Sequence, residues 1–244
     1  MPVLSESHNP IHGTHYGFSA CHLDHLGSTE YTLVTICADV SASVYGFISQ
    51  IEQCLDRIVA SCAHAPRADN LLLRVITFNQ SITELHGFKP LLECSGQSYQ
   101  GQLQASGATA LYDASYNAIS SIINYGQHLV QHDFDVNGIV FVITDGEDNQ
   151  SKARPKGIKK LLRDCMTEED LESMLSVLVG VNVKESSLSK RLDQFKSQAH
   201  FDEYIELDNA ESKTLQKLAH FVSQSISLQS RALGSGQSAV ALSF

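Results

Sequence analysis

The sequence lacks any apolar run long enough to cross a membrane. A transmembrane helix needs about 20 consecutive apolar residues, and no stretch of this 244-residue chain approaches that length. Residues 1–18 also lack the basic region followed by an apolar run that marks a secretory signal. We therefore expect a cytoplasmic protein with no membrane partner.

Paired cysteines are also missing. None of the six cysteines forms a C-x-x-C pair, and Cys37 and Cys54 fall at core-like positions in an apolar strand and an apolar helix. Such residues are typical of reduced, buried thiols. Five of the eleven histidines lie in residues 1–28, but their spacing with Cys21 matches no standard zinc site. We interpret them as packed or solvated side chains.

Basic residues are in short supply. Lys and Arg number 17 against 27 Asp and Glu, which gives a formal net charge of −10. Such a molecule repels a phosphate backbone as a whole, so no nucleic acid partner is expected. The sequence also has neither a G-x-G-x-x-G motif nor a P-loop, and nothing in it indicates nucleotide binding.

The sequence does contain strand and helix patterns in regular alternation. This alternation predicts one α/β domain over residues 29–229, with a doubly wound, mostly parallel sheet flanked by helices and one short antiparallel edge strand. Residues 1–28 show no sustained period and are predicted to form a His-rich N-terminal arm. Residues 230–244 are predicted to be a flexible C-terminal tail. The predicted strands are residues 31–38, 70–78, 82–87, 138–144, 175–181 and 203–207, and the last predicted helix is 211–228.

The first strand of this domain runs into three oxygen side chains. In the stretch VTICADVSASVYGF, Asp39 ends the apolar run, and Ser41 and Ser43 follow at alternate positions. Doubly wound sheets bind ligands at the carboxyl ends of their strands, where the strand order reverses. In the common order 3-2-1-4-5-6, that point lies between the strand that Asp39 ends and the fourth strand, which Asp145 follows. The two carboxylates would then meet at one edge of the sheet.

Three pieces of the chain, DVSAS, SGATA and ITDG, together resemble the von Willebrand factor A (vWA) family. The metal-ion-dependent adhesion site (MIDAS) of that family is written D-x-S-x-S, then a Thr in a G-x-T-type loop, then an Asp in a T-D-G turn. Asp39, Ser41, Ser43, Thr109 and Asp145 fill all five positions. Three separated matches in the right order are far more specific than one. The resemblance covers nearly the whole predicted domain and is to intracellular, bacterial-type members.

The five side chains would supply only hard oxygen ligands. Such ligands suit Mg²⁺, with Mn²⁺ or Ca²⁺ as substitutes, and the absence of Cys and His from the set argues against zinc. The resemblance implies that Ser41 and Ser43 bind the ion directly and that Thr109 does so in at least one state. It also implies that Asp39 and Asp145 act largely through water or by holding the hydroxyls in place.

The resemblance implies a function in protein–protein interaction rather than catalysis. An ion held in this way keeps one coordination position for an Asp or Glu side chain of a partner protein. Intracellular members of the family often act beside an AAA+ ATPase, in chelatases, or in stress-related assemblies, so the resemblance suggests a complex of this kind as the setting. Two alternatives stay open: a Mg²⁺-dependent hydrolase that uses the same crevice, and a structural subunit whose metal site is vestigial.

Each candidate residue also has a simpler interpretation. Asp39, Ser43 and Thr109 lie where helices begin, and such residues cap helices well. Only the joint pattern favours a metal. The neighbouring acidic pair Glu147 and Asp148 is interpreted as a solvated turn rather than as part of the binding surface.

Overall fold

The computed structural model describes residues 6–11, 17–94, 96, 98–168, 170–183 and 186–235. Eight strands and six α-helices follow one another within these described residues. The strands are β1 (Glu6–Pro10), β2 (Gly17–Cys21), β3 (Glu30–Asp39), β4 (Leu71–Phe78), β5 (Ile82–Pro90), β6 (Asp135–Thr144), β7 (Ser173–Val181) and β8 (Glu203–Leu207). The helices are α1 (Ile48–Ala63), α2 (Leu91–Cys94), α3 (Leu111–Val130), α4 (Pro155–Thr167), α5 (Ser186–Ala199) and α6 (Ser212–Ser235).

All eight strands belong to one sheet, in the order β1-β2-β5-β4-β3-β6-β7-β8. Strands β4, β3, β6, β7 and β8 are parallel to one another, and β5 is antiparallel to β4. The six strands from β3 to β8 therefore have the predicted order 3-2-1-4-5-6. The predicted fold class, an α/β protein with a mostly parallel sheet, is confirmed.

Helices cover both faces of the sheet, which explains its unbroken apolar runs. Helices α1 and α6 share one hydrophobic cluster with alternate β3 residues such as Val34 and Ile36, and α3, α4 and α5 share the other cluster with Leu33 and Cys37. A strand covered on both faces buries nearly every side chain, and nine of the ten residues of β3 are buried. All six cysteines are buried too, as expected of structural thiols.

The antiparallel strand β5 is not at the edge of the sheet, which corrects one expectation. Strand β2 pairs with it in parallel, with Ala20 opposite Phe88, and β1 adds a further antiparallel strand beyond β2. Both added strands come from the predicted arm. The sequence of that region shows no sustained strand pattern. The division of the chain into arm, domain and tail stays a prediction.

The C-terminal boundary also differs from the sequence-based expectation. Helix α6 continues to Ser235, so the first residues of the predicted tail are helical. The remaining tail residues, 236–244, lie outside the described part of the chain, as do residues 12–16 of the arm. No helix among the described residues is long and apolar enough to span a membrane.

Candidate metal centre

The site lies where strands β3 and β6 end side by side. These two strands are parallel neighbours, and their last paired residues are Ala38 and Ile143. Asp39 and Asp145, which follow these residues closely, therefore meet at the carboxyl edge of the sheet. This is the point where the strand order reverses, as the sequence predicts.

Asp39 organises the loop that follows β3. Its carboxylate is completely buried; Oδ1 accepts a hydrogen bond from the main-chain N–H of Ser41 (2.7 Å), and Oδ2 accepts one from the hydroxyl of Thr144 (2.6 Å). One carboxylate thus holds the loop after β3 to the end of β6. Thr144 was missed by the sequence analysis as a functional residue, although it belongs to the ITDG match.

A short chain of hydrogen bonds connects the loop after β3 to the loop after β6. The hydroxyls of Ser41 and Ser43 lie 3.0 Å apart, and the hydroxyl of Ser43 donates to Oδ1 of Asp145 at 2.6 Å. Ala42, at a position where the family often has Gly, begins a 3₁₀ turn, and its N–H donates to the carbonyl of Gly107 (3.1 Å). Its φ is not positive, so alanine fits this turn without strain.

Thr109 reaches the same place from a third loop. Gly107 has a φ of +78°, in the left-handed region that glycine adopts without strain and other residues rarely adopt. The backbone of Thr109 makes two hydrogen bonds to Asn149: its N–H donates to Oδ1 (2.9 Å), and its carbonyl accepts from N–H (3.0 Å). The hydroxyl of Thr109 lies 3.7 Å from where a Cβ of Gly146 would stand. The structure thus connects Asp39, Ser41, Ser43 and Asp145 by hydrogen bonds and places the hydroxyl of Thr109 beside Gly146, the residue that follows Asp145.

The surroundings of Asp39 and Asp145 disfavour the charged form of both carboxyl groups. Burial raises the pKa of Asp39 above its ordinary value. Burial also raises the pKa of Asp145 to about 6; the negative charge of Asp39 adds to this shift, and the hydrogen bond from Ser43 opposes it. No Lys or Arg is among the causes of either shift. Buried charges in proteins are usually paired or bind metal ions, so a cation in this crevice would relieve an unfavourable arrangement.

The donor set fits a hard divalent ion. It consists of two carboxylates and three hydroxyls, and in the described part of the chain no group of three or more His, Cys, Asp or Glu side chains is placed to bind a metal. Hydroxyl and carboxylate oxygens of this kind suit a hard divalent ion.

Acidic residues at the rim of the site make contacts within the protein that the sequence did not indicate. Tyr45 is 78% exposed. Glu147 forms an ion pair with Arg191 at 2.6 Å, and Oδ1 of Asp148 accepts a hydrogen bond from the N–H of Tyr112 in the first turn of α3 (3.3 Å). The Glu147–Asp148 turn therefore fastens the loop after β6, a role that its acidic composition alone did not indicate.

Comparison with known proteins bears on the fold alone. No family model matches the chain, and no curated protein matches it. Several solved structures do. The D319A mutant of the PilB minor pilin from Streptococcus sanguinis has a TM-score of 0.61 at 11% identity, over 89% of this chain and 66% of the pilin. The pilus adhesin SpaC from Lactobacillus rhamnosus GG has a TM-score of 0.52 at 10% identity, over 83% of this chain and 31% of the adhesin.

A third similar structure is that of a metal-bound protein. Proximal thread matrix protein 1 from the mussel byssus, with a zinc-occupied MIDAS motif, has a TM-score of 0.51 at 18% identity. The match covers 80% of this chain and 46% of the mussel protein. This chain thus spans two thirds or less of the length of each of these proteins. The likenesses show a vWA-like fold.

Proposed function

We propose that the chain is a protein-interaction module that binds Mg²⁺ at Asp39, Ser41, Ser43, Thr109 and Asp145. The observation that carries the proposal is the chain of hydrogen bonds from Asp39 through Ser41 and Ser43 to Asp145. Oxygen atoms from loops far apart in the sequence are already gathered, with the buried carboxylate of Asp39 and the half-buried carboxylate of Asp145, and no Lys or Arg among the described residues forms an ion pair with either. The mussel structure supports divalent metal binding in this fold generally; Mg²⁺ is the choice that the oxygen donors of this chain favour.

The roles of the residues follow from their positions. The hydroxyls of Ser41, Ser43 and Thr109 would contact the ion, since they converge on the crevice. Asp39 has both oxygens engaged by Ser41 and Thr144, so it would act mainly by orienting the serines. A bound ion supplies a positively charged centre with a free coordination position. An Asp or Glu of a partner protein would fill that position, which favours specificity over contact area.

The partner is proposed by chemistry rather than by name. We expect a protein that presents an exposed carboxylate, in a cytoplasmic assembly that contains an AAA+ ATPase, as the vWA resemblance implies. A formal charge of −10 argues against nucleic acid. The proposal gives the site no catalytic step, because binding of a carboxylate requires no nucleophile or base besides the five oxygen side chains.

Affinity capture from native cell extract tests the proposal. Wild type, Ser43→Ala and the control Ser197→Ala, an exposed serine of α5, would be immobilised and washed with Mg²⁺, Zn²⁺ or EDTA. We expect a partner retained by wild type and Ser197→Ala in Mg²⁺ and lost with EDTA or Ser43→Ala. Excess free glutamate should compete with it.

Other outcomes would assign the chain a different function or a different metal. Equal retention of the partner with and without EDTA would indicate a structural subunit with a vestigial metal site. Turnover of generic phosphoesters that disappears in Asp145→Ala would indicate a hydrolase instead of a binding module. Retention in Zn²⁺ but not in Mg²⁺ would keep the interaction and correct the metal.

A further inference from the structure

Positive charge is concentrated in one segment of this acidic chain. Six of its seventeen Lys and Arg residues fall in the twelve residues 152–163, KARPKGIKKLLR, which hold no Asp or Glu. All six side chains are exposed. We name them the basic strip: Lys152, Arg154, Lys156, Lys159, Lys160 and Arg163. Ordinary solvated helices intersperse both signs of charge, so a segment of one sign in a chain of the opposite net sign calls for an explanation.

The helical residues of the basic strip include a row on the solvent-facing side of α4. Ile158, Leu162 and Cys165 of α4 are buried at helical spacing and fix the inward side of the helix. Lys156, Lys160 and Arg163 then project from the opposite side in a single row, at positions i, i+4 and i+7. Neighbours in this row are about 4.5 to 6 Å apart along the helix axis, somewhat less than the spacing of about 6.6 Å between alternate side chains of an extended peptide.

Few carboxylates of the protein itself neutralise the strip. Asp164 lies 2.8 Å from the guanidinium of Arg163 and 4.0 Å from Nζ of Lys160, whose side chains remain 66% and 73% exposed. The other four cations of the strip have no carboxylate within ion-pair distance among the described residues. Their charge is therefore available to another molecule.

The strip is continuous with the candidate metal centre. The loop that starts at Asp145 is held along the first turn of α3: the N–H of Asp113 donates to the hydroxyl of Ser151, and the carboxylate of Asp113 accepts from the N–H groups of Lys152 and Ala153. Helix α3 itself begins two residues after Thr109. The first cations of the strip thus lie at the same edge of the sheet as the metal site.

We propose that the basic strip binds an extended acidic segment of the same partner whose carboxylate reaches the metal. The segment would present Asp or Glu at alternate positions beside the residue that coordinates the ion. This inference rests on the proposed function, since the metal site anchors the segment. Electrostatic attraction along the strip would speed encounter and select acidic sequences over neutral ones.

A peptide titration tests the inference. A fluorescein-labelled oligoglutamate is the probe, oligoglutamine the neutral peptide, and fluorescence anisotropy the measurement, in Mg²⁺ and in EDTA. The strip variant is Lys156→Gln, Lys160→Gln, Arg163→Gln. The matched control is Arg57→Gln, Lys213→Gln, Lys217→Gln, which removes the same charge from exposed residues on the opposite face of the sheet. Circular dichroism would verify that both variants are folded.

The expected result has three parts. Each exposed charge pair changes affinity by roughly two- to threefold, so the strip variant should bind about tenfold more weakly than wild type, and the control should change less than about twofold. The wild-type affinity should fall more steeply with salt than that of the strip variant. EDTA or Ser43→Ala should weaken binding to both the wild type and the strip variant.

The contrary results separate this inference from the proposed function. Binding that needs Mg²⁺ but is equal in the strip and control variants overturns the inference and leaves the metal site. Binding that needs the strip but ignores EDTA and Ser43→Ala overturns the metal-anchored arrangement, and the proposed function with it. No binding of oligoglutamate to wild type overturns the inference. Binding of duplex DNA or phosphatidylserine vesicles that is tighter than that of oligoglutamate and depends on the strip also overturns the inference, because it would show that the strip binds phosphate groups.

Discussion

At the scale of single residues, the site depends on the hydrogen bonds that the carboxylate of Asp39 accepts. Both of its carboxylate oxygens face donors within the protein, the N–H of Ser41 and the hydroxyl of Thr144. An acid so fully hydrogen-bonded shapes the loop before any ion arrives. The sequence predicted this residue because an apolar strand ending in Asp is conspicuous. It did not predict Asn149, whose amide holds Thr109 from another loop, because no local pattern marks that contact.

Another residue whose behaviour burial determines is His86 in β5. Its Nδ1 donates to the carbonyl of Gly87 (3.0 Å), and its Nε2 then accepts from the hydroxyl of Tyr99 (2.7 Å). Burial lowers the pKa of His86 from 6.5 to about 4. The folded protein therefore keeps this imidazole neutral between about pH 4 and 6.5, where the unfolded chain binds a proton.

We predict that His86 makes the protein less stable as the pH falls through this window. Because the unfolded state binds more protons there, the free energy of unfolding drops with decreasing pH. At about 1.4 kcal/mol per pKa unit, the contribution of His86 reaches about 3 kcal/mol. Urea unfolding of wild type and His86→Gln at pH 7 and pH 4 measures it, since other titrations are common to both proteins. Parallel pH dependences in the two proteins would contradict the prediction.

At the scale of elements, the six central strands could be predicted and the two outer ones could not. Strands covered on both faces give long apolar runs such as GIVFVIT, which determine both their positions and their type. Strands β1 and β2 are short: β1 pairs with β2, and β2 pairs with β5. Gly87 permits this pairing, since a Cβ there would overlap the backbone of Ser19. A lone glycine in a strand does not reveal what approaches it.

Arg74 joins the outer strands to the rest of the sheet. It is only 1% exposed, and its Nε lies 2.6 Å from Oε2 of Glu84, whose Oε1 accepts the N–H of Ser19 in β2 (3.0 Å). Its guanidinium also donates to the side chains of Asn117 and Ser121 of α3 (both 3.0 Å). In the sequence, Arg74 is the one charged residue of a largely apolar strand, and nothing there indicates a buried network.

We predict that Arg74→Met destabilises the protein by about 4 kcal/mol, because it leaves a carboxylate and several polar groups without a partner. Urea denaturation measures the change, with Arg57→Met, an exposed arginine of α1, as the control. Adding Glu84→Gln should recover part of the loss. Hydrogen exchange at Ser19 should accelerate in Arg74→Met. A loss no larger than that of the control would show that the network contributes little.

At the scale of the whole molecule, the protein is acidic but its charge is not evenly spread. The net charge of −10 predicts that the molecule as a whole repels nucleic acid, yet six of its cations fall in the basic strip, which begins at the same edge of the sheet as the candidate metal centre. The overall composition hides this segregation, which the order of residues 152–163 shows. The proposed partner, a protein with a carboxylate-rich surface, would complement both the candidate metal centre and the strip.

Diffraction from crystals soaked in Mn²⁺, with data collected at the manganese absorption edge, tests the central claim most directly. The account predicts an anomalous peak bonded to the hydroxyls of Ser41 and Ser43, near Thr109, with Asp39 and Asp145 close by. Crystals of Ser43→Ala, treated identically, should show a weaker peak or none. Wild-type crystals at saturating Mn²⁺ with no peak among these five side chains would contradict the account.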